Sequence, residues 1–65
     1  MTAAQRAASV AAGQIWRHRK TGRLLTVTNV DCRYVIGFTH RATGRYVTRL
    51  DRLTLARNYR REGEQ

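Results

Sequence analysis

The residues of this chain that could carry catalytic or metal chemistry are few and widely spaced. Cys32, His18 and His40 are residue types that bind zinc, but they form neither a Cys-x-x-Cys nor a His-x-x-x-His spacing. Asp31 and Asp51, the acids in the central part of the chain, each stand close to an arginine and are better explained as turn or ion-pairing residues. No glycine-rich phosphate loop is present. The sequence therefore predicts a protein that is not an enzyme and that holds neither a metal ion nor another cofactor.

A different chemistry, phosphate binding, is indicated by an arginine-rich repeat. Residues 18–26 and 40–48 share the order His-Arg-x-Thr-Gly-Arg, followed by two large residues and a threonine. Thr-Gly between alternating apolar runs is typical of hairpin turns, so the repeat predicts two hairpins with three-residue loops. That geometry places Arg19 opposite Arg23 in the first hairpin and Arg41 opposite Arg45 in the second. Like charges opposite each other cost on the order of a few tenths of a kcal/mol of stability per pair. Binding of a phosphate ligand would explain why arginines are nevertheless placed there.

The overall charge also points to an anionic partner. The chain has 65 residues, a formal net charge of +9 and a pI of about 11.5, and 12 of its 13 basic residues are arginine. A charge this high repels itself and is useful against a polyanion, with nucleic acid as the first candidate, an anionic membrane as the second and an acidic protein surface as the third. Guanidinium groups bind phosphate bidentately and stack on bases. Arginine richness also follows from a GC-rich genome, and this alternative stays open.

Length and cysteine content limit the fold and the location. A chain of 65 residues makes one small domain with a thin core. Because Cys32 is the only cysteine, no intramolecular disulfide can form, which suits a reducing compartment. The alanine-rich start is interrupted by polar residues and has no continuous apolar run of the kind found in signal peptides and membrane spans. These features predict a cytoplasmic protein without a membrane partner.

Three zones follow one another along the chain. Residues 1–12 are expected to be flexible or to form a short helix. Residues 13–59 show the alternation and β-branched content of a strand-rich domain, with strands near 14–19, 23–30, 33–40 and 45–50. The segment that follows fits either a helix capped by Asp51 or a short 3₁₀ turn before a fifth strand over 54–59. We favour the turn and strand, because a fifth strand could cover a sheet edge. Residues 60–65 are expected to be a mobile tail.

The buried face is easier to predict for the second hairpin than for the first. Counting outward from the second loop places Ile36, Phe38 and Leu50 on one face, which is the predicted core side. In the first hairpin both faces carry apolar residues. The repeat equates Trp16 with Phe38 and thereby favours a buried Trp16, although a bulge in the first pair would reverse this.

Gly13-x-x-Trp16 at the start of the first strand, two Thr-Gly hairpins, and Leu-Asp-Arg-Leu at residues 50–53 before a short last segment resemble the small five-stranded SH3-like β-barrels. KOW modules, archaeal chromatin proteins and many small proteins of actinobacteria and their phages share that architecture. The resemblance covers residues 13–59 as strand order and turn placement. It implies an all-β fold and a nucleic-acid-binding or protein-binding module rather than an enzyme.

We therefore predict an all-β, SH3-like barrel that binds nucleic acid through its hairpin arginines with weak sequence specificity. Exposed aromatic rings could add base stacking. The alternative is a protein-interaction module, such as a small phage or bacterial regulator that docks on an acidic host protein. The predicted nucleic-acid-binding residues are Trp16, Arg17, Arg19, Lys20, Arg23, Arg41, Arg45, Tyr46 and Arg49.

Overall fold

The computed structural model describes residues 2–63 as one five-stranded antiparallel sheet with two short helices. The elements follow in the order α1 (Ala3–Ala8), β1 (Ile15–His18), β2 (Leu24–Val30), β3 (Tyr34–Arg41), β4 (Gly44–Asp51), α2 (Arg52–Asn58) and β5 (Tyr59–Arg61). The strands are arranged as β4-β3-β2-β1-β5, so β4 and β5 are the edges and do not pair with each other. The prediction of an all-β barrel is confirmed only in part: the fold is mostly β with two short helices, and the strand pairing in residues 2–63 does not close the sheet into a barrel. In residues 2–63 neither helix has the length or the apolar character needed to cross a membrane.

The second hairpin is offset by one residue from the predicted register. The sequence count placed Arg41 opposite Arg45, but the structure pairs Arg41 with Gly44 and His40 with Arg45. The loop therefore contains two residues rather than three. Gly44 has a φ of 136°, a conformation that residues with a Cβ rarely adopt, and this lets it take the last paired position.

This offset reverses the predicted core side of β3, because a shift of one residue moves each side chain to the other face. Val35 and Thr39 are buried, whereas Ile36 and Phe38 are only half-buried on the opposite face. The prediction that Ile36 and Phe38 form the core side was therefore wrong. Leu50 packs against the core as expected, since it lies opposite Val35. We call the face that carries Val35 the inner face and the other the outer face.

The first hairpin follows a register of its own. Trp16 pairs with Leu25, and the backbone N–H of His18 donates to the carbonyl of Arg23 at 2.8 Å. Arg23 therefore lies opposite His18, and the predicted pairing of Arg19 with Arg23 does not form. Trp16 is 1% exposed, so the prediction of a buried ring is confirmed, although Phe38, which the repeat equates with it, lies on the outer face.

The core fills the space between the inner face and the helices. Leu55 on α2 is fully buried and packs with Val10 and with inner-face residues of the sheet. Asp51 caps this helix, because its carboxylate accepts from the backbone N–H of Leu53 at 2.9 Å. Thr2 caps α1 in a capping box with Gln5. Each helix therefore begins at a residue whose side chain caps it.

The segment after β4 contains a helix and a strand, so each of the two predicted alternatives is partly right. Helix α2 covers Arg52–Asn58, where we had favoured a turn and a strand over 54–59. The helix forms because it buries Leu55 and Ala56 together, whereas a strand would direct adjacent residues to opposite faces. Strand β5 comes later, at Tyr59–Arg61, and includes two residues of the predicted tail. Residues 64–65 lie outside the described residues.

Candidate functional site

The two copies of the repeat meet at one end of the sheet. Strand β2 begins and β3 ends at this end, and their last registered pair is Leu25 with Thr39. Beyond that pair the strands separate, leaving a groove of about 520 Å³ with Arg23 on one side and Arg41 on the other. We call this the tip groove; it is lined by Arg17, Gly22, Arg23, Leu24, His40, Arg41, Ala42 and Thr43.

The first loop is held in shape by His18. Its Nδ1 accepts hydrogen bonds from the backbone N–H groups of Lys20 at 3.1 Å and Thr21 at 3.2 Å. The ring also meets Tyr59 edge-on, with the ring centroids 4.9 Å apart. A second groove, of about 530 Å³, lies on the far side of this loop. Its lining residues are Arg17, His18, Arg19, Lys20, Thr21, Gly22 and Arg60.

Some of the predicted arginines already have partners inside the protein. Arg17 Nε donates to a carboxylate oxygen of Glu62 at 2.5 Å, and Arg17 Nη1 donates to the carbonyl of Gly22 at 3.1 Å. Arg19 Nε donates to the carbonyl of Tyr59 at 3.4 Å, so this side chain turns toward β5. Within residues 2–63, Arg23 pairs with no carboxylate. The tip groove therefore contains one partly neutralised arginine and further guanidinium groups without a carboxylate partner.

Three arginines of the second hairpin lie over aromatic rings. The guanidinium carbons lie 4.6, 4.7 and 4.8 Å from the ring centroids in the pairs Arg41 over Tyr46, Arg45 over Phe38 and Arg49 over Tyr34. Such contacts favour a cation over the ring face. Within residues 2–63 these three arginines make no ion pair, so their N–H groups are available to an external acceptor.

Tyr59 on β5 packs against the core on the inner face. Burial, reinforced by the nearby Tyr46 on β4, raises the pKa of Tyr59 on β5 above its ordinary value of 10.0, and the neighbouring Arg23 opposes this rise. Tyr46 is 42% exposed and Tyr59 is half-buried.

The residues predicted to bind nucleic acid separate into a core residue and several surface groups. Trp16 is buried, and its Nε1–H donates to Gln14 at 3.1 Å, so the ring is not part of the surface. The surface groups are Arg17, Arg23 and Arg41 in the tip groove, Arg19 and Lys20 at the second groove, Tyr46 under Arg41, and Arg45 and Arg49 on the outer face of β4.

Sequence reasoning did not identify Arg60, which lines the second groove opposite Arg17. It also missed Arg57, which lines a smaller pocket beside Arg19 and Lys20. Both residues come from the segment after β4. The sequence signal that could have drawn attention to them was the alternative prediction of a helix in that segment, which we did not favour.

The residues considered as metal ligands do not come together. In the part of the chain that the structure describes, no group of three His, Cys, Asp or Glu side chains is placed to hold an ion. His18 holds the first loop, and His40 Nε2 lies 2.8 Å from the hydroxyl of Thr26. Cys32 is exposed in the turn between β2 and β3, at the other end of the sheet from both histidines.

Charge is unevenly distributed along the strands. Asp31 and Asp51 lie at the end of the sheet away from the tip groove, where Asp51 is 3.9 Å from Arg33 Nε. None of the residues that line the tip groove or the second groove is acidic.

Comparisons of the chain with protein-family models, with curated proteins and with solved structures found no match.

Proposed function

We propose that this protein is a non-enzymatic module that binds the phosphate backbone of nucleic acid with its two hairpin tips. The observation that supports this proposal is the tip groove. Segments about 20 residues apart in the sequence place Arg17, Arg23 and Arg41 around one concave surface that has no acidic lining residue. Arg17 is paired with Glu62, but Arg23 and Arg41 have no carboxylate partner within residues 2–63, so an anionic ligand removes a repulsion between them.

The mechanism is electrostatic. Guanidinium groups in the groove donate paired N–H groups to phosphate oxygens and release the counterions condensed on the backbone. Neither helix is placed to read bases, because α1 and α2 are short and pack over the core on the inner face. Binding through phosphates alone carries little sequence information. We therefore propose weak sequence specificity.

We also propose that the sheet is an open form of the SH3-like architecture. The strand order β4-β3-β2-β1-β5, with a short helix directly before the last strand, supports this interpretation.

Arginine-to-glutamine variants in the tip groove test the function. We expect Arg23→Gln and Arg41→Gln each to weaken nucleic-acid binding and to reduce the slope of log affinity against log salt by about 1, because each removes about one phosphate contact. Thermal stability should hold or rise, since like charges are removed. Titrations at several salt concentrations, with melting curves for every variant, measure both quantities.

Arg33→Gln is the matched control, because it makes the same change in charge at the opposite end of the sheet. Its salt slope should stay at the value of the unchanged protein. If the control alters the slope as much as the groove variants do, binding depends on total charge and the tip groove is not the site. If the unchanged protein does not bind at low salt, the proposed function is wrong.

A second candidate function is docking of an acidic protein partner on the outer face. On this face Val47 is 66% exposed and lies on β4 between Arg45 and Arg49, while Ile15 on β1, beyond β2 and β3, is 41% exposed. Charge complementarity would then select the partner. In this case nuclease treatment leaves complexes in a cell lysate intact, and Val47→Asp weakens them while Arg41→Gln does not. The opposite pattern favours nucleic acid.

A further inference from the structure

Every aromatic ring of the protein already has a partner. The chain contains one Trp, three Tyr and one Phe. Trp16 is 1% exposed, with the Arg6 guanidinium 5.7 Å from its ring centroid, and the Tyr59 ring meets His18 edge-on. The other three are the rings under Arg41, Arg45 and Arg49. On the side where a guanidinium lies over a ring, a base can stack only after that arginine moves away.

These ring contacts bear on whether the ligand is single-stranded or double-stranded nucleic acid. Proteins that hold single strands combine a basic groove with exposed rings, and each stacked base contributes a large part of the affinity. A surface that offers only guanidinium groups gains most from the ligand with the higher charge density. Double-stranded DNA carries one charge per about 1.7 Å of its axis, and its counterion release per contact exceeds that of a single strand.

We infer that the ligand is double-stranded nucleic acid, held by its phosphates and not by base stacking; this rests on the proposed function. The rings instead support arginine side chains, as Tyr46 does for Arg41. Arg41 lines the tip groove while its guanidinium lies over Tyr46, which restricts the side chain before a ligand arrives. A restricted arginine loses less rotamer freedom on binding phosphate.

The first test compares a duplex of about 20 base pairs with one of its own strands at low salt. We expect the duplex to bind roughly tenfold more tightly, with a steeper dependence on salt. A single strand that binds as tightly as the duplex, or more tightly, overturns the inference and leaves the proposed function standing. If neither ligand binds, the proposed function itself fails.

The second test changes a ring without changing charge. Tyr46→Leu should alter single-strand affinity by less than about twofold, whereas loss of a stacked base would lower it by about fivefold or more. Duplex affinity should fall slightly, because Arg41 loses its support. Tyr34→Leu is the control, since Tyr34 carries Arg49 at the far end of the sheet. Circular dichroism confirms that both variants fold, and a fivefold loss of single-strand affinity confined to Tyr46→Leu contradicts the inference.

Discussion

At the scale of single residues, arginines of similar sequence surroundings have different structural roles. Arg17 is tied to Glu62, Arg52 is tied to backbone carbonyls, and Arg23 pairs with no carboxylate within residues 2–63. Aromatic residues differ in the same way. Trp16 belongs to the core, whereas Phe38 lies half-buried on the outer face under Arg45. Residue type alone therefore does not identify the binding surface of a chain with so many arginines.

Trp16 allows a test of the distinction between core and surface aromatic residues. We expect Trp16→Ala to lower the free energy of unfolding by about 3–5 kcal/mol, because it leaves a cavity under Leu55 and Val35 in a thin core. Tyr46→Ala, on a ring that is 42% exposed, should cost far less. Urea denaturation measures both. A Trp16→Ala protein that unfolds at the urea midpoint of the unchanged chain would show that the ring does not pack as described.

At the scale of elements, the sequence predicted strand positions well and strand register poorly. The expected strands near 14–19, 23–30, 33–40 and 45–50 agree with β1 to β4 within about two residues at each end. Alternation and turn residues locate strands, but register depends on loop length. The two copies of the repeat look alike in sequence, yet the first has residues 19–22 between its last paired residues and the second has only residues 42–43.

The histidines give the physical reason for this difference. His18 Nδ1 accepts from backbone N–H groups and supports the longer loop, whereas His40 is engaged by Thr26 on the neighbouring strand and holds no loop. That contact depends on β2 pairing with β3, which a single hairpin sequence does not show. The basic tips were therefore predictable from each hairpin sequence. Which arginines share a groove was not, because that depends on how the two hairpins pair.

The docking of α1 depends on one arginine of α2. Arg52 donates four hydrogen bonds to the carbonyls of Ala7, Ala8 and Asp31 at 2.9–3.3 Å. Lysine keeps the charge but cannot reproduce the fork, so Arg52→Lys should cost about 1–3 kcal/mol of stability. Hydrogen exchange in α1 should also accelerate.

The matched control for this prediction is Arg57→Lys, on the same helix. The Arg57 side chain is exposed and makes no hydrogen bond or ion pair within residues 2–63. Its variant should keep both the stability and the exchange rates of the unchanged protein. Equal effects of the two lysine variants would show that Arg52 does not anchor α1.

At the scale of the whole molecule, the burial of Tyr59 on the edge strand β5 has a consequence for stability at high pH. The raised pKa of Tyr59, caused by burial and then by Tyr46, means that the folded protein holds this proton more tightly than the unfolded chain. The contribution is complete below the unfolded value of 10.0 and is lost as the pH rises through the folded value. We therefore expect stability to fall above about pH 10.

Tyr59→Phe isolates this effect, because phenylalanine has no proton to lose. The variant should lose less stability between about pH 9 and 11 than the unchanged protein, and the difference between the two curves belongs to Tyr59. Thermal melts across this range provide the measurement. Parallel curves would mean that the Tyr59 hydroxyl is as well solvated in the folded protein as in the unfolded chain.

The strand order also determines when the core can form along a growing chain. Strands β1 to β4 pair with their neighbours in sequence, whereas β5 pairs with β1, joining Trp16 to Arg61 across most of the chain. Leu55, which completes the core, lies in the same late segment. On the ribosome, a nascent chain therefore exposes the inner face of its hairpins until residues 52–61 have emerged. The hairpin tips can thus form before the core is sealed.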